Sequence, residues 1–275
     1  MGWIVLPAMN PSWPCISIIT PSFNQAVFLE RTILSVLEQG YPNLEYIVID
    51  GGSTDDSVNI IKKYQERLAY WISEPDRGQA HAINKGLRMA TGEWVGWQNS
   101  DDIFYPGVFE SLARETVQSP HADLIIGNMN LIDKEDQVLR DVKYVRPTYW
   151  SLLAEGMVLT NQAAFWRRQV HDEIGYLDES LDCSFDYEWF LRLLAGRAAA
   201  HVNATWGGLR RHEDTKTSNR QAIFDVEHRE ILKGREVSTF TKRFFQIRRL
   251  LLMFNQGHIK YVSRGLVRRS LHRSM

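Results

Sequence analysis

Short β-branched runs alternate with amphipathic segments along the first half of the chain. Residues 16–20 and 46–50 are apolar runs that end at Pro21 and Gly51, a pattern typical of buried strands that lead into loops. Between them, residues 27–38 place apolar side chains near one face at helical spacing. This order predicts a β-α-β unit.

The same alternation continues to about residue 127. The predicted elements are a helix over 53–66, a strand over 69–73, a helix over 79–89, a strand over 93–97, a helix over 106–117 and a strand over 123–127. Strands that alternate with helices predict an α/β fold, in which helices cover both faces of a mostly parallel sheet.

The pattern divides the chain into three parts. The regular alternation fades near residue 129, and a less regular stretch with a helix over 186–194 follows. The last residues are helical in pattern. We therefore expect one domain over 1–236, with a first half at 1–128 and a second half at 129–236, and a helical C-terminal tail at 237–275.

Charge is unevenly distributed along the chain. The 32 basic and 33 acidic residues give a net charge of −1, yet 9 of the basic and none of the acidic residues follow Glu236. Apolar residues in the tail repeat at helical spacing with a break near 255–257, which predicts two basic amphipathic helices. These helices either pack on the body or bind an anionic membrane surface. Nucleic acid is not an expected partner, because the rest of the chain carries no nucleic-acid motif.

The cysteines and the hydropathy of the chain indicate the cellular compartment of the protein. Cys15 and Cys183 are far apart and lack a metal-like spacing, so we expect two buried, reduced thiols. The N-terminus lacks a basic segment before its apolar residues, and no apolar run approaches the roughly 20 residues that cross a bilayer. These patterns predict a cytoplasmic protein, attached at most peripherally to the inner face of the cell membrane.

Polar residues follow three of the predicted strands, at 20–24, 50–55 and 98–102. Ligands of parallel α/β sheets bind outside the carboxyl ends of the strands, so we expect these loops to form one site. The glycines after Asp50 do not match the G-x-G-x-x-G fingerprint, which disfavours a nicotinamide dinucleotide. The Asp50 carboxylate can instead accept hydrogen bonds from a base or a ribose.

The loop at 99–102 and the loop before the 79–89 helix carry charged candidates. Asp101 and Asp102 supply oxygen ligands of the kind that Mg²⁺ and Mn²⁺ take together with substrate phosphates. The alternative is a polar cluster that caps the next helix. Arg77 precedes a helix N-terminus, and a guanidinium in that place suits a phosphate.

Four motifs in order carry a family resemblance. They are IITPSFN at 18–24, VIDGGSTD at 48–55, DRG with AINKG within 76–86, and NSDD at 99–102. Together they resemble the motifs of family 2 glycosyltransferases with the GT-A fold, over roughly residues 14–215. The resemblance implies a nucleotide-sugar donor, usually a UDP-sugar, a divalent metal such as Mn²⁺ or Mg²⁺, and transfer with inversion at the anomeric carbon.

The resemblance also implies roles for single residues. Asp50 would bind the base, Arg77 would approach the nucleotide and Asp101 would bind the metal. The remaining nucleotide-binding positions would be Thr20, Pro21, Asn24, Ser53, Asp55, Asn99 and Ser100. The sequence departs from the family at Asn99, where an aspartate is usual. The amide can still accept a hydrogen bond from the ribose, but one negative charge near the metal is lost.

An inverting transfer needs a base for the acceptor hydroxyl. The segment SFDYEWFLR at 184–192 resembles the family's acidic motif at a helix start, and Asp186 aligns with its base. Glu188 is the second candidate. The alternative is that Asp186 only caps the helix, a position at which Asp is favoured.

Three further residues are candidates for substrate or metal contacts. Gln162 lies in a segment that resembles the family's acceptor-facing region, and it contacts a sugar hydroxyl or satisfies backbone groups in its loop. Trp189 lies near the proposed base and could stack on a sugar, although most of the tryptophans should be core residues. His212 follows an apparent strand and would ligate the metal or donate to the diphosphate, unless it is simply exposed.

These features predict a metal-dependent inverting glycosyltransferase that moves a hexosyl or N-acetylhexosaminyl group from a UDP-sugar to a glycan or lipid-linked acceptor in cell-surface polysaccharide synthesis. One alternative is a nucleotidyltransferase of related fold, which would release pyrophosphate. Another is a non-catalytic protein that binds nucleotide or glycan on a GT-A-like scaffold.

Overall fold

The computed structural model describes residues 13–212, 220–259 and 261–263 of the chain. Its first half alternates strands and helices as the apolar pattern predicts. The elements are β1 (Ile16–Ser22), α1 (Ala26–Leu37), β2 (Leu44–Asp50), α2 (Ser57–Tyr64), β3 (Tyr70–Ser73), α3 (Gln79–Met89), β4 (Trp94–Trp97), β5 (Ile103–Phe104) and α4 (Val108–Gln118). The pattern did not predict β5, which has only two residues.

The second half contains more strand than the sequence predicted. Its elements are β6 (Leu124–Ile132), β7 (Val138–Val142), α5 (Tyr149–Glu155), β8 (Ala164–Arg167), α6 (Val170–Ile174), α7 (Phe185–Leu194), β9 (Ala199–Arg210), α8 (Gln221–Leu232) and α9 (Thr239–Asn255). The strand predicted at 123–127 extends to Ile132. β7 is almost entirely exposed and β9 contains Gly207 and Gly208, so neither strand has a regular apolar pattern.

The described strands form one sheet in the order β3-β2-β1-β4-β8-β6-β9-β5, with β7 paired to β6. The strands β1 to β4 pair in parallel, which confirms the predicted arrangement of the first half. β8 runs antiparallel between β4 and β6 and joins the two halves. Beyond it, β6 and β9 pair in parallel. The sheet is thus parallel where the β-α-β pattern is regular, and mixed after it.

Tryptophans fill much of the core. Trp97 and Trp166 pack edge to face, with ring centroids 5.3 Å apart, a favourable geometry for aromatic pairs. The fully buried tryptophans are Trp94, Trp97, Trp166, Trp189 and Trp206. Most of the tryptophans are therefore core residues, as expected.

His171 is a buried polar residue within this aromatic core. Trp166 Nε1 donates to His171 Nε2 (3.0 Å), and His171 Nδ1 lies 2.8 Å from the Gly175 carbonyl oxygen. Its ring stacks on Trp189 with centroids 4.7 Å apart. Burial lowers the pKa of His171 to about 4. The ring is therefore neutral at pH 7, with the proton on Nδ1, because Nε2 must accept from Trp166.

The two cysteines differ in exposure. Cys183 is buried in the loop before α7, whereas Cys15 is only half-buried just before β1. The prediction of two buried thiols is correct for Cys183 and wrong for Cys15, because the core begins one residue later at Ile16.

α9 lies against the body through one face and leaves the other exposed. Arg249 Nε donates to Glu155 Oε2 on α5 (2.6 Å), and Met253 is buried. The exposed face carries Phe240, Phe244, Ile247, Leu251 and Phe254, each more than half exposed. In the described part of the chain, none of the helices combines the length and hydropathy needed to cross a bilayer. Most of the second predicted tail helix lies outside the described residues.

Candidate active site

Asp50 ends β2 and organises the loop that follows it. Its Oδ2 accepts hydrogen bonds from the backbone N–H groups of Gly52 and Ser53 and from Ser73 Oγ, and its Oδ1 accepts from Ser53 Oγ. Asp50 is fully buried. This carboxylate therefore fixes the backbone of the loop. A direct contact with a base would have to replace one of these bonds.

The loops after β1 and β2 are joined by the polar side chains that the motifs singled out. Asn24 N donates to Ser53 Oγ (2.8 Å), and Asn24 Oδ1 accepts from the Thr54 backbone (2.9 Å). Ala26 N donates to Asp55 Oδ2 (2.9 Å). Asn24 adopts a left-handed conformation with φ of 52°, which Asn tolerates better than most residues. These residues hold the rim of the proposed nucleotide site.

Thr20 and Pro21 were predicted to line the nucleotide pocket, but both lie inside β1 and are buried. They therefore do not line an open pocket. The Thr20 hydroxyl lies 3.0 Å from Tyr46 Oη, which occupies its hydrogen-bonding capacity inside the sheet. Ser22, at the end of the strand, is buried, and its Oγ has no hydrogen-bond partner among the described residues. Ser22 is therefore better placed than Thr20 to offer a hydroxyl to a ligand. It lies within the motif at 18–24 but was not among the predicted nucleotide-binding residues.

Asp102 is the hydrogen-bonding centre of the 99–102 loop. Its Oδ1 accepts from the Arg210 backbone N–H (2.8 Å), and its Oδ2 accepts from Gln162 Nε2 (2.6 Å) and Asn99 Nδ2 (3.0 Å). Burial, and then the neighbouring Asp101 carboxylate, raise the pKa of Asp102 well above its usual range, while the three donors oppose this rise. Asp102 thus joins three segments that are distant in sequence.

Asp101 lies beside His212, at the end of β9. His212 Nε2 is 3.0 Å from Asp101 Oδ2, and both side chains are partly exposed. Arg210 Nε donates to the Asp101 backbone carbonyl (2.6 Å), which holds the two segments together. The structure therefore brings together the two predicted metal ligands. Among the described residues no set of three or more His, Cys, Asp or Glu side chains is arranged to hold a metal alone.

Asn99 and Ser100 contribute to the loop rather than to an open surface. Asn99 Oδ1 accepts from Gln79 Nε2 at the start of α3 (2.9 Å), so the amide oxygen expected to meet a ribose already has a partner. Ser100 is buried, and its backbone carbonyl accepts from Thr32 Oγ1 (3.0 Å) on α1. Gln79 was not predicted, and its contact links the α3 N-terminus to the motif.

Gln162 is buried, and its side-chain nitrogen is bound to Asp102. Its Oε1 has no partner among the described residues. Gly207 permits this packing, because a Cβ at that position would come within 1.9 Å of the Gln162 backbone oxygen. The amide nitrogen of Gln162 therefore holds the side chain of Asp102, in contrast to the alternative in which Gln162 satisfies backbone groups of its own loop.

Arg77 lies at a cleft between the start of α3 and the loop before α7. Its guanidinium pairs with Glu179, which also accepts a hydrogen bond from Asn84 Nδ2 (2.9 Å). Residues 77–80 and 179–182 line this cleft, which has a volume of about 250 Å³. The Arg77 side chain is 70% exposed. It remains accessible to a phosphate, although Glu179 competes for it.

Asp186 lies in the first turn of α7 and is half-buried. Burial raises the pKa of Asp186 to about 6, and the negative charge of Glu227 adds to the rise, while a hydrogen bond from the Tyr187 backbone (2.7 Å) opposes it. A carboxyl with this pKa is largely ionised at pH 7 and still accepts a proton readily. These properties suit a general base.

The structure does not support Glu188 and Trp189 as substrate contacts. Glu188 forms a bidentate ion pair with Arg192, at 2.5 and 2.7 Å. Arg192 also donates to two backbone carbonyls before α7. Glu188 therefore fixes a helix turn. The prediction that Trp189 contacts a sugar is wrong here, because its ring is fully buried against His171.

The loops described above lie in a segment of the chain that matches a known protein family. The family model of glycosyl transferase family 2 matches residues 17–175, more than half of the chain. The chain belongs to glycosyl transferase family 2. The matched segment includes the loops after β1 and β2 and the 99–102 motif, while Asp186 and His212 lie beyond it.

Relatives and solved structures agree with this assignment. An uncharacterized glycosyltransferase of Mycobacterium tuberculosis is 34% identical over 184 residues, covering 66% of this chain and 69% of the relative. One of Rickettsia felis is 30% identical over 200 residues, covering 68% of this chain but only 32% of the relative. The chain thus spans about a third of that longer protein.

Two solved structures show that the fold is that of GT-A glycosyltransferases. TarS of Staphylococcus aureus, in complex with UDP-GlcNAc, has a TM-score of 0.65 at 18% identity and covers 88% of this chain and 73% of its own. PcManGT, a mannosyltransferase of Pyrobaculum calidifontis in complex with GDP-Man and Mn²⁺, has a TM-score of 0.58 at 22% identity, covering 79% and 63%.

Asp101 and Asp102 should differ in their effect on stability. Asp102→Ala leaves buried donors on Gln162 and Arg210 without an acceptor and should lower the free energy of unfolding by about 1–3 kcal/mol. Asp101→Ala removes a partly exposed neighbouring charge and should leave stability unchanged or raise it. Urea unfolding of both variants in metal-free buffer measures this difference. An equal loss in both variants would contradict the assigned roles.

Proposed function

We propose that the protein is a metal-dependent inverting glycosyltransferase. It transfers a sugar from a nucleotide-sugar, with UDP-sugars as the first candidates, to a hydroxyl of a glycan or lipid-linked acceptor in cell-surface polysaccharide synthesis. The observation that carries the proposal is the contact between Asp101 and His212, 3.0 Å apart in a family 2 chain. This contact combines two potential metal ligands next to the 99–102 motif.

The chemistry of this pair fits a divalent cation. Mg²⁺ and Mn²⁺ are commonly held by one or two carboxylates together with substrate phosphates, so a complete protein cage is not needed. Asp101 would supply the carboxylate and His212 an imidazole nitrogen. When bound, the metal would neutralise charge that develops on the departing diphosphate.

The donor nucleotide is proposed on fold similarity and on the loop chemistry. Among the solved neighbours, TarS is described with UDP-GlcNAc and PcManGT with GDP-Man. The rim built from Asn24, Ser53 and Asp55 offers polar groups to a base and ribose. A UDP-hexose or UDP-N-acetylhexosamine is the donor we would test first, with GDP-mannose as the comparison.

Asp186 would act as the base of the transfer. It takes the proton from the acceptor hydroxyl while that oxygen forms its bond to the anomeric carbon. The bond from this carbon to the diphosphate oxygen breaks on the opposite side, and its electron pair leaves with the nucleoside diphosphate. This attack inverts the anomeric configuration.

We also propose that the exposed face of α9 binds an anionic lipid surface, which would place the enzyme near a lipid-linked acceptor at the inner face of the membrane. Phe244, Ile247 and Leu251 are each more than half exposed on this face. α9 carries Lys and Arg but no Asp or Glu. A second copy of the chain would bring like charges together, whereas anionic lipids attract each cation by about 1 kcal/mol.

Nucleotide binding is the direct test of the proposed activity. In a thermal-shift screen with Mn²⁺, the correct nucleotide-sugar should stabilise the protein, by about 2.7 kcal/mol at a hundredfold excess over its Kd. Slow release of nucleoside diphosphate should accompany binding, whereas a nucleotidyltransferase would release pyrophosphate. Asp101→Ala should lose the metal-dependent part of the shift. If no nucleotide raises the melting temperature in the presence of metal, the proposal is wrong.

Asp186→Asn should abolish transfer and leave nucleotide binding nearly unchanged. General bases contribute about 10²–10⁴-fold to rates, and we expect a loss of that size in kcat. For the wild type, activity should rise with pH through about 6 as Asp186 loses its proton. Glu188→Gln is the comparison variant and should keep most of the activity, since Arg192 retains its hydrogen bonds to the Ile174 and Tyr176 carbonyls and still holds this helix turn. Full activity in Asp186→Asn would show that another residue is the general base.

A triple variant with Phe244, Ile247 and Leu251 changed to serine should lose binding to phosphatidylglycerol vesicles in a sedimentation assay. Wild-type binding should weaken as salt rises, because salt screens the charge attraction. Val117→Ser removes an even more exposed apolar side chain from α4 and serves as the control. If the wild type does not bind the vesicles and is a dimer that the triple variant disrupts, the proposal is wrong and this face binds a second copy of the chain.

A further inference from the structure

The loop that leads into α7 is held by a carboxylate from another helix. Glu227, on α8, accepts three consecutive backbone hydrogen bonds, from Asp182 N (2.7 Å), Cys183 N (3.0 Å) and Ser184 N (2.7 Å). Ser184 is the N-cap residue of α7, and the other two donors precede the helix. The Ser184 side chain makes no capping bond. Glu227 therefore fixes the backbone of the loop directly before the helix.

Two further contacts bind α8 to the same region. Arg220, just before α8, forms an ion pair with Asp182. On the other side, the His228 ring lies 4.5 Å from the Tyr187 ring. None of the described residues of α8 is fully buried. These contacts join α8 to the loop before α7 and to its first turn, while Ile231 and Leu232 at its end pack against the core.

This loop leads directly to the proposed base. Asp186 follows Ser184 by two residues, so the path of the loop backbone sets where its carboxylate lies. The next turn of the helix is held separately, by the Glu188–Arg192 pair and by hydrogen bonds from Arg192 to the Ile174 and Tyr176 carbonyls. Glu227 is the anchor on the upstream side of Asp186, and Arg192 is the anchor on the downstream side.

We propose that Glu227 is a positioning residue, which fixes the backbone of residues 182–184 and thereby places Asp186 for proton transfer. The inference rests on the proposed role of Asp186 as the base. A displacement of about 1 Å caused by a mutation far from the reacting atoms can cost 10²-fold in rate, so the anchor matters for turnover as well as for stability. Glu227 binds backbone N–H groups in these contacts, so we expect its loss to affect kcat more than donor affinity.

The charge of Glu227 gives the proposal a measurable electrostatic signature. It raises the pKa of Asp186, although this effect is smaller than those of burial, which also raises the pKa, and of the backbone N–H groups, which lower it. The other charged or titratable groups on the elements around α7 are Tyr149 and Glu155 on α5, His171, Asp172 and Glu173 on α6, and Asp225, His228, Arg229 and Glu230 on α8. Glu155 pairs with Arg249, Asp182 with Arg220 and Glu188 with Arg192. Removing the charge at 227 lowers the pKa of Asp186, so the base stays ionised to lower pH.

The first experiment compares Glu227→Gln with Glu230→Gln. Both remove one carboxylate from α8, but Glu230 is exposed and pairs only with Lys233 among the described residues. Glu227→Gln should lower kcat, leave the Kd of the donor within twofold of the wild type, and move the acidic limb of the kcat/KM profile to lower pH. Glu230→Gln should leave all three quantities unchanged.

The second experiment uses Glu227→Ala, with formate as a small carboxylate that can occupy the vacated N–H groups. We expect a fall in kcat of about 10- to 100-fold, partial recovery when formate is added, and faster hydrogen exchange of the amides of residues 182–184. Circular dichroism and thermal unfolding establish that the variant is folded. Chloride at the same ionic strength is the control for formate.

Wild-type kcat and an unshifted pH limb in folded Glu227→Gln would overturn the proposal. Equal losses of kcat and donor affinity in Glu227→Ala, with no recovery in formate, would also overturn it. Such losses indicate that Glu227 only stabilises the fold and does not position Asp186. The two hypotheses fail separately. If Asp186→Asn retains activity, the base is misassigned, whereas the amide exchange of residues 182–184 still reports whether Glu227 anchors the loop.

Discussion

The buried carboxylate of Asp102 is the interaction on which the candidate site depends. It connects the end of β4, the segment of Gln162 and the end of β9. A buried carboxylate is costly unless it is hydrogen-bonded, and here three donors offset part of that cost, although the pKa of Asp102 remains raised. Through the Arg210 backbone, Asp102 ties the end of β9, which leads to His212, to the loop that carries Asp101.

Two other carboxylates also accept hydrogen bonds from the backbone of a loop. Asp50 receives hydrogen bonds from the loop after β2, and Glu227 receives them from the loop before α7. Loops that end at a ligand site cannot satisfy their N–H groups in a helix or a strand, so buried or half-buried carboxylates satisfy them instead. Acidic residues in this protein thus have two kinds of role. Some fix the backbone, while Asp101 and Asp186 are the carboxylates to which the proposed function assigns metal binding and proton transfer.

The sequence predicted the part of the fold that follows regular periodicity, from β1 to α4, and the meeting of the motif loops at one edge. It did not predict β7, β8 or the antiparallel insertion of β8, because those strands are exposed or short and their partners are distant in sequence. In the site, the motifs located the right loops but not every role. Thr20, Glu188 and Trp189 are committed to Tyr46, Arg192 and His171, contacts that only the tertiary structure reveals.

The position of β8 limits how the two halves of the chain can move. β8 is hydrogen-bonded to β4 on one side and to β6 on the other, so the two halves of the chain share one unbroken ladder. A rotation of one half against the other would break this ladder, which makes hinge opening expensive. Residues 179–182, which line the cleft beside Arg77, lie in a loop outside the ladder, so a movement of this loop would leave the sheet intact.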